Sequence, residues 1–184
     1  MKPIFLIGYM GSGKTTVGVA LGEEMKRTFI DLDIFIEERY HDTLRNIFER
    51  VGESVFREIE RDMLYEVSQL DDVIVACGGG TPCYYDNMEY MNNCGLTIYL
   101  EVGIECLFAR LSLPKAKQSR PLLAKKSDEE LLKFIKSALT ERMPYYTRAN
   151  IRFDTTHLTN TQETRDTAFA MSLTIKRYLN KKLF

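Results

Sequence analysis

Residues 8–16 read GYMGSGKTT and follow directly on a short apolar run, PIFLI. Gly8, Gly13, Lys14 and Thr15 stand at the spacing G-x-x-x-x-G-K-[ST]. Between a strand and a helix, that spacing turns backbone N–H groups toward phosphate oxygens, backed by the positive end of the helix. A chance match in a Gly-rich turn would not need those flanking elements, and both are legible here. Gly11, Ser12, Gly13, Lys14, Thr15 and Thr16 are the expected phosphate contacts. Lys14 is expected to reach the β- and γ-phosphates, and the Thr15 hydroxyl to ligate Mg²⁺. The loop holds a nucleotide but leaves open whether water, a protein or a small molecule receives the phosphate.

The rest of the chain alternates short apolar runs with amphipathic stretches, the pattern of βα units on a parallel sheet. Strands are expected over 3–7, 28–33, 72–77, 96–101 and 150–155. Helices are expected over 14–25, 54–70, 128–142 (behind the capping-box pattern Ser127-x-x-Glu130) and 162–180. With 184 residues, 45% hydrophobic and 28% charged, the chain reads as one globular α/β domain over 1–184. A formal net charge of −1 argues against a nucleic-acid coat or a membrane-surface protein. No apolar stretch approaches the ~20 residues of a membrane span. The N-terminus runs straight into the Gly-rich loop without a signal-cleavage pattern, so the expected location is the cytoplasm. Cys77, Cys83, Cys94 and Cys106 form no C-x-x-C pair and read as free thiols rather than a zinc site or disulfides. One stretch, 111–128, fits no element. It carries two prolines and a run of lysines with Arg120, and reads as a lid over phosphates or as a solvated surface excursion.

Several residues point to the chemistry of the acceptor. Asp31 and Asp33 are two apart at the end of the second strand, so both carboxylates are expected on one side, beyond the carboxyl end of the sheet. One could hold the metal's water shell while the other orients or deprotonates an acceptor hydroxyl; Asp33 could also N-cap the next helix. The third strand ends in ACGGG, without the Walker-B aspartate of an ordinary NTPase, which leaves Asp31 as the metal-side carboxylate. Gly78, Gly79 and Gly80 offer backbone that a ligand can approach closely. Glu60 lies on the edge of an apolar helical stripe, and Arg57 is within reach to pair with it. A guanidinium fixed in this way is pre-set for a bidentate grip on a carboxylate, although a purely structural ion pair would look the same. Arg120 in the lid can meet charge developing on a transferred phosphoryl group, Arg110 is a planar partner for a nucleobase, and Arg142 ends a helix before Pro144.

GYMGSGKTT, DLD, GESVFREIE, CGGGT, SRPLL and ERMPYY, in that order and at suitable distances, resemble the shikimate kinases of the nucleoside-monophosphate-kinase-like P-loop group. The resemblance covers Ile4 to about Thr155. It implies a three-layer P-loop fold with a five-stranded parallel sheet, helices on both faces and a mobile lid over about 111–126. It implies transfer of the γ-phosphoryl group of ATP, with Mg²⁺, to a hydroxyl of shikimate, giving shikimate 3-phosphate. By position, Lys14, Asp33 and Arg120 would be catalytic, and Thr15 and Asp31 would serve the metal. Asp33, Arg57, Gly79, Gly80 and Arg142 would bind shikimate, with Phe48 and Phe56 as an apolar wall. Arg110 would lie against adenine and Arg120 over the phosphates. The expected partner is a small-molecule substrate, met by a monomer. Two rivals are a kinase for another polyol acid such as gluconate, and a nucleotide-dependent switch protein with no acceptor.

Overall fold

The computed structural model describes residues 2–118 and 120–181. Met1, Ser119 and residues 182–184, which the readings of one domain over 1–184 and of the lid include, lie outside them. Five strands, β1 (Ile4–Ile7), β2 (Thr28–Asp31), β3 (Val73–Ala76), β4 (Leu96–Glu101) and β5 (Ile151–Asp154), form one sheet in the order β2-β3-β1-β4-β5. Every pairing is parallel, with Ile4 opposite both Ile74 and Leu96. The central strands β1 and β3 are apolar at every position because both faces are covered. Phe5, Ile7, Val75 and Tyr99 join one core cluster, while Ile4, Leu6, Ile74 and Ile98 join the other. Among the described residues no helix is long and apolar enough to cross a membrane.

The phosphate loop leads into α1 (Lys14–Met25), which packs against the last helix, α9 (Thr161–Lys181), and covers the second face. Gly11 at φ 82° and Gly13 at φ 91° carry the loop through left-handed backbone that side-chain-bearing residues rarely adopt. Two boundaries near the site differ from expectation. Strand β2 stops at Asp31, and α2 (Leu32–Tyr40) begins at once. Asp31, not Asp33, is the N-cap, accepting the Asp33 N–H at 3.1 Å. The capping carboxylate ends the strand there, so the two aspartates do not share one strand face. The helix read over 54–70 is part of α3 (Leu44–Ser68), bent where Gly52 takes φ 77°, ψ 173°.

After α4 (Asn87–Cys94) and α5 (Ile104–Ser112), the stretch read as irregular contains two short helices, α6 (Pro114–Gln118) and α7 (Pro121–Ala124). Prolines start both, since a first-turn position needs no N–H donor. The capping box of Ser127 and Glu130 opens α8 (Asp128–Tyr146). This helix runs through Pro144 instead of ending before it, so Arg142 lies inside the helix. Only one N–H is lost there, and a single proline can be carried within a helix at that cost.

Candidate active site

A cavity of about 880 Å³ opens at the carboxyl ends of β1, β2 and β3. Gly11, Gly13, Lys14, Thr15 and Thr16 line it, facing Asp31, Asp33, Gly78 and Gly79. Arg110 and Arg120 close it from the side of α5 and the two short helices. Ser12 is the expected loop residue that does not line it. Its side chain is 1% exposed and its N–H is taken by the Tyr9 carbonyl at 3.1 Å.

Lys14 Nζ donates to the Gly8 and Tyr9 carbonyls at 2.8 and 3.0 Å, which folds it back over the loop. Burial lowers its pKa to about 8, against the opposing pull of Asp33 and Asp31. Thr15 donates its hydroxyl proton to Asp31 Oδ2 at 2.8 Å. Two hard oxygen donors therefore sit side by side on the cavity wall, the donor set Mg²⁺ takes. The Asp33 carboxyl is pushed up to about 6, first by burial and then by the charges of Asp31 and Glu60. A carboxylate with that value accepts a proton near neutral pH far more readily than an ordinary aspartate.

Gly78 and Gly79 line the cavity, and the three glycines after β3 also leave room for the site's own side chains. A β-carbon on Gly78 would lie 3.0 Å from Asp33 Oδ1, Glu60 Oε1 and Thr81 Oγ1 alike. On Gly79 it would meet Arg142 Nη1 at 3.2 Å, and on Gly80 both terminal nitrogens of Arg57 at 3.1 Å. None of these glycines takes a positive φ. The space they vacate is filled by the protein's own charged groups, so their role is volume rather than conformational freedom.

Arg57 and Arg142 do not line the cavity itself; they stand behind Gly80 and Gly79. Arg57 Nη1 donates to Glu60 Oε2 at 2.8 Å, and Thr81 donates to Glu60 Oε1 at 2.5 Å. Glu60, 2% exposed, is thus doubly satisfied, and the pairing suggested by its helical spacing is present. The Arg57 Nε is buried without a partner among the described residues. The Arg142 Cζ lies 5.5 Å from the Tyr9 ring centroid and has no carboxylate partner among the described residues. Tyr146 donates to the Gly79 carbonyl at 2.6 Å, which fixes the glycine turn to α8. Phe48 and Phe56 pack at 5.4 Å between centroids, with Arg57 Cζ over the Phe56 ring; Phe56 is buried and Phe48 open.

Arg110 is engaged by protein rather than left free for a base. One terminal nitrogen donates to the Gly11 carbonyl at 2.9 Å, and the other to Thr155, Thr156 and Leu158 carbonyls at 3.0–3.1 Å. It ties the phosphate loop to the loop before α9. That loop and the first turns of α9 supply a wall that no motif in the sequence marks, with Leu158, Thr159 and Asn160 of the loop and Arg165 of the helix facing the cavity. The packing of α1 on α9 and the bonds of Arg110 and Thr155 to the phosphate loop bring them there.

A family model described as shikimate kinase matches residues 10–172. The shikimate kinase of Phocaeicola vulgatus is 58% identical over 83% of this chain and 86% of its own length. That of Parabacteroides distasonis is 48% identical over 93% and 98%. The crystal structure of the Bacteroides thetaiotaomicron shikimate kinase superposes with a TM-score of 0.91 at 44% identity, covering 95% of this chain and 98% of that one. A shikimate kinase from Acinetobacter baumannii, solved in complex with shikimate, gives 0.81 at 33%, covering 100% and 96%. A gluconokinase from Sinorhizobium meliloti reaches 0.63 at 17% identity, over 98% of this chain and 97% of that one, a likeness of fold alone. This chain belongs to the shikimate kinase family.

Proposed function

We propose that the chain transfers the γ-phosphoryl group of ATP to the 3-hydroxyl of shikimate. The observation that carries this reading is the convergence on one glycine turn of a raised-pKa carboxylate, Asp33, and two arginines, Arg57 and Arg142. An acceptor that bears both hydroxyls and a carboxylate matches that set, and the shikimate bound by the Acinetobacter relative is such a molecule.

In this reading the phosphate loop and Lys14 hold the β- and γ-phosphates, whose charge offsets the desolvation of the ammonium. Thr15 and Asp31 would hold Mg²⁺, which supplies charge neutralisation on the phosphates when bound. Arg57 and Arg142 grip the acceptor carboxylate, with Gly79 and Gly80 alongside, and turn its hydroxyl toward Asp33. The acceptor oxygen forms a bond to the γ-phosphorus as the bond to the ADP oxygen breaks, and the hydroxyl proton passes to the Asp33 carboxylate. Arg120 meets the charge on the moving phosphoryl group, and the segment 111–126 closes to exclude water. Arg110 acts by bracing the nucleotide pocket. No residue of a second chain is needed for these roles, and the reading is of a monomer acting in the cytoplasm, where ATP is plentiful.

The test is ADP release with ATP, Mg²⁺ and one acceptor at a time, with the product identified by mass. Shikimate should be phosphorylated at least 10²-fold faster than gluconate at equal concentration, a margin that a paired carboxylate and hydroxyl site can supply. Equal turnover with gluconate, or ADP release independent of any acceptor, would overturn the reading.

A further inference from the structure

Beyond Glu60, a second group holds the Arg57 guanidinium. Its Cζ stands 4.1 Å from the centroid of the Tyr84 ring. The Tyr84 hydroxyl donates to Glu53 Oε1 at 2.7 Å, and that oxygen is 3.6 Å from Arg57 Nη2. We propose that Tyr84 is a positioning residue for the acceptor carboxylate, its ring setting the guanidinium plane and its hydroxyl holding Glu53 back from the fork. The inference rests on the reading that Arg57 grips that carboxylate.

Glu60 bonds one terminal nitrogen at 2.8 Å, while Glu53 stands 3.6 Å from the other, beyond hydrogen-bond reach, so the two carboxylates do not by themselves fix the guanidinium plane. A bidentate grip on a carboxylate needs the plane fixed as well. An aromatic face supplies that restraint, because a guanidinium lies favourably over a tyrosine ring. Fixing the plane before the acceptor arrives removes an ordering cost from binding. The hydroxyl has a separate task. Glu53 is exposed and already within ion-pair distance of Nη2. Released from Tyr84, its carboxylate could close on the fork and compete with the acceptor for the same donors.

The backbone beside this ring is held at a cost. Tyr85, the next residue, takes φ 50° with its side chain 51% exposed, a conformation rarely adopted by a bulky side chain. Arg61 secures the turn, its Cζ 5.1 Å from the Tyr85 ring centroid and its Nη2 2.6 Å from Asp86 Oδ1. Strain of this kind persists where surrounding contacts over-determine it, and it gathers at functional sites. Here the strained turn follows directly on the residue that faces Arg57.

Steady-state kinetics of Tyr84→Leu, Tyr84→Phe, Tyr84→Phe with Glu53→Gln, and Arg57→Ala test the proposal, with thermal melts to verify folding. Tyr84→Leu should raise the shikimate KM about tenfold, with kcat and the ATP KM within about twofold, the scale of one lost ring contact. Tyr84→Phe keeps the ring and should raise KM only about threefold, and adding Glu53→Gln should restore most of that. An analogue of shikimate without the carboxylate should respond to none of the Tyr84 changes. The proposal fails if Tyr84→Leu leaves the shikimate KM within twofold while Arg57→Ala raises it more than tenfold. It also fails if the carboxylate-free analogue suffers equally, which would make Tyr84 a general structural support. If Arg57→Ala itself leaves the shikimate KM unmoved, the underlying reading of Arg57 is what falls, and the inference with it.

Discussion

Asp33 and Glu60 turn their carboxylates to the same point beside Gly78, where a β-carbon would lie 3.0 Å from an oxygen of each. Their circumstances differ. Glu60 is neutralised by Arg57 and bonded by Thr81, whereas the raising of Asp33 is opposed by Lys14 alone. One carboxylate is thereby locked in place by its partners, and the other is poised to take a proton. Asymmetry of this sort between neighbouring acids is how a site assigns roles to chemically identical groups.

The pH dependence follows. With Asp33 at about 6 in the free protein, kcat/KM for shikimate should fall below pH 6 as the carboxylate is protonated. The same shift bears on stability. The folded value lies above the ordinary 3.8, so folding takes up a proton between these two pH values. The associated stability is fully present below about pH 4 and lost as pH rises through about 6. At 1.36 kcal/mol per unit, the ionised group costs the apo protein up to about 3 kcal/mol at pH 8. Asp33→Asn should therefore melt higher than the parent at pH 8 and match it near pH 4, while kcat drops by more than ~10². A mutant that melts lower at pH 8 would contradict this account of Asp33.

Lys14 predicts the opposite limb. Its pKa of about 8 means that free protein loses the ammonium just above neutrality. The kcat/KM for ATP should decline above pH 8, whereas kcat should hold to higher pH because bound phosphates favour the charged form. Lys14→Ala should abolish turnover, as the phosphates lose their nearest fixed cation. Near-normal kcat in a folded Lys14→Ala protein would sink the phosphate-loop assignment.

The glycine turn can be dissected residue by residue. Gly78→Ala crowds Asp33 and Glu60, and should lower kcat at least tenfold with modest change in the shikimate KM. Gly80→Ala presses on the Arg57 fork and should do the reverse, raising the shikimate KM about tenfold with kcat largely kept. Identical effects from both substitutions would mean that the turn fails as a unit.

These contrasts show what could be read from the chain alone. The phosphate loop, the Arg57–Glu60 pair and the capping box depend on local spacing, and local spacing is visible in a sequence. The Asp31 cap was not, because a helix that begins one residue after a strand competes with a reading of continued alternation. Nor was the purpose of Gly78, Gly79 and Gly80, since the side chains that fill their space come from α2, α3 and α8. The wall formed by Leu158–Asn160 has no local signature at all; it exists because Arg110 and Thr155 bond the preceding loop to the carbonyls of Gly11 and Ser12. Tertiary contacts of that range carry no short-range pattern.

The pair proposed to hold the metal, Thr15 and Asp31, offers a sharper test. Asp31 both caps α2 and accepts the Thr15 hydroxyl, so Asp31→Asn should keep a cap while losing the charge. The Mg²⁺ concentration for half-maximal activity should rise at least tenfold, with metal-free nucleotide binding nearly unchanged. An unaltered Mg²⁺ requirement would remove Asp31 from the metal's surroundings.

The segment 111–126 runs from the end of α5 to just before α8. Its helices α6 and α7 have five and four residues, too short to be stable by themselves. Leu113 and Leu122 are 57% and 67% exposed, apolar surface that closure over a ligand would cover. The far end of the segment is anchored: Leu123 is fully buried, and Lys117 donates to the Lys126 carbonyl and to Asp128 Oδ1, both at 3.1 Å. A segment tied down at Leu123 and Lys117 but open at Leu113 and Leu122 can still swing, carrying Arg120 over the cavity it already lines. Amide hydrogen exchange over 111–126 should be fast without ligands and slow at least tenfold when a non-hydrolysable ATP analogue and shikimate are both bound. Arg120→Ala should lower kcat about 10²-fold without abolishing that protection, because closure draws on the apolar contacts as well as the charge. Exchange that is equally slow with and without ligands would show a segment that does not open, and water would then have to be excluded by some other part of the chain.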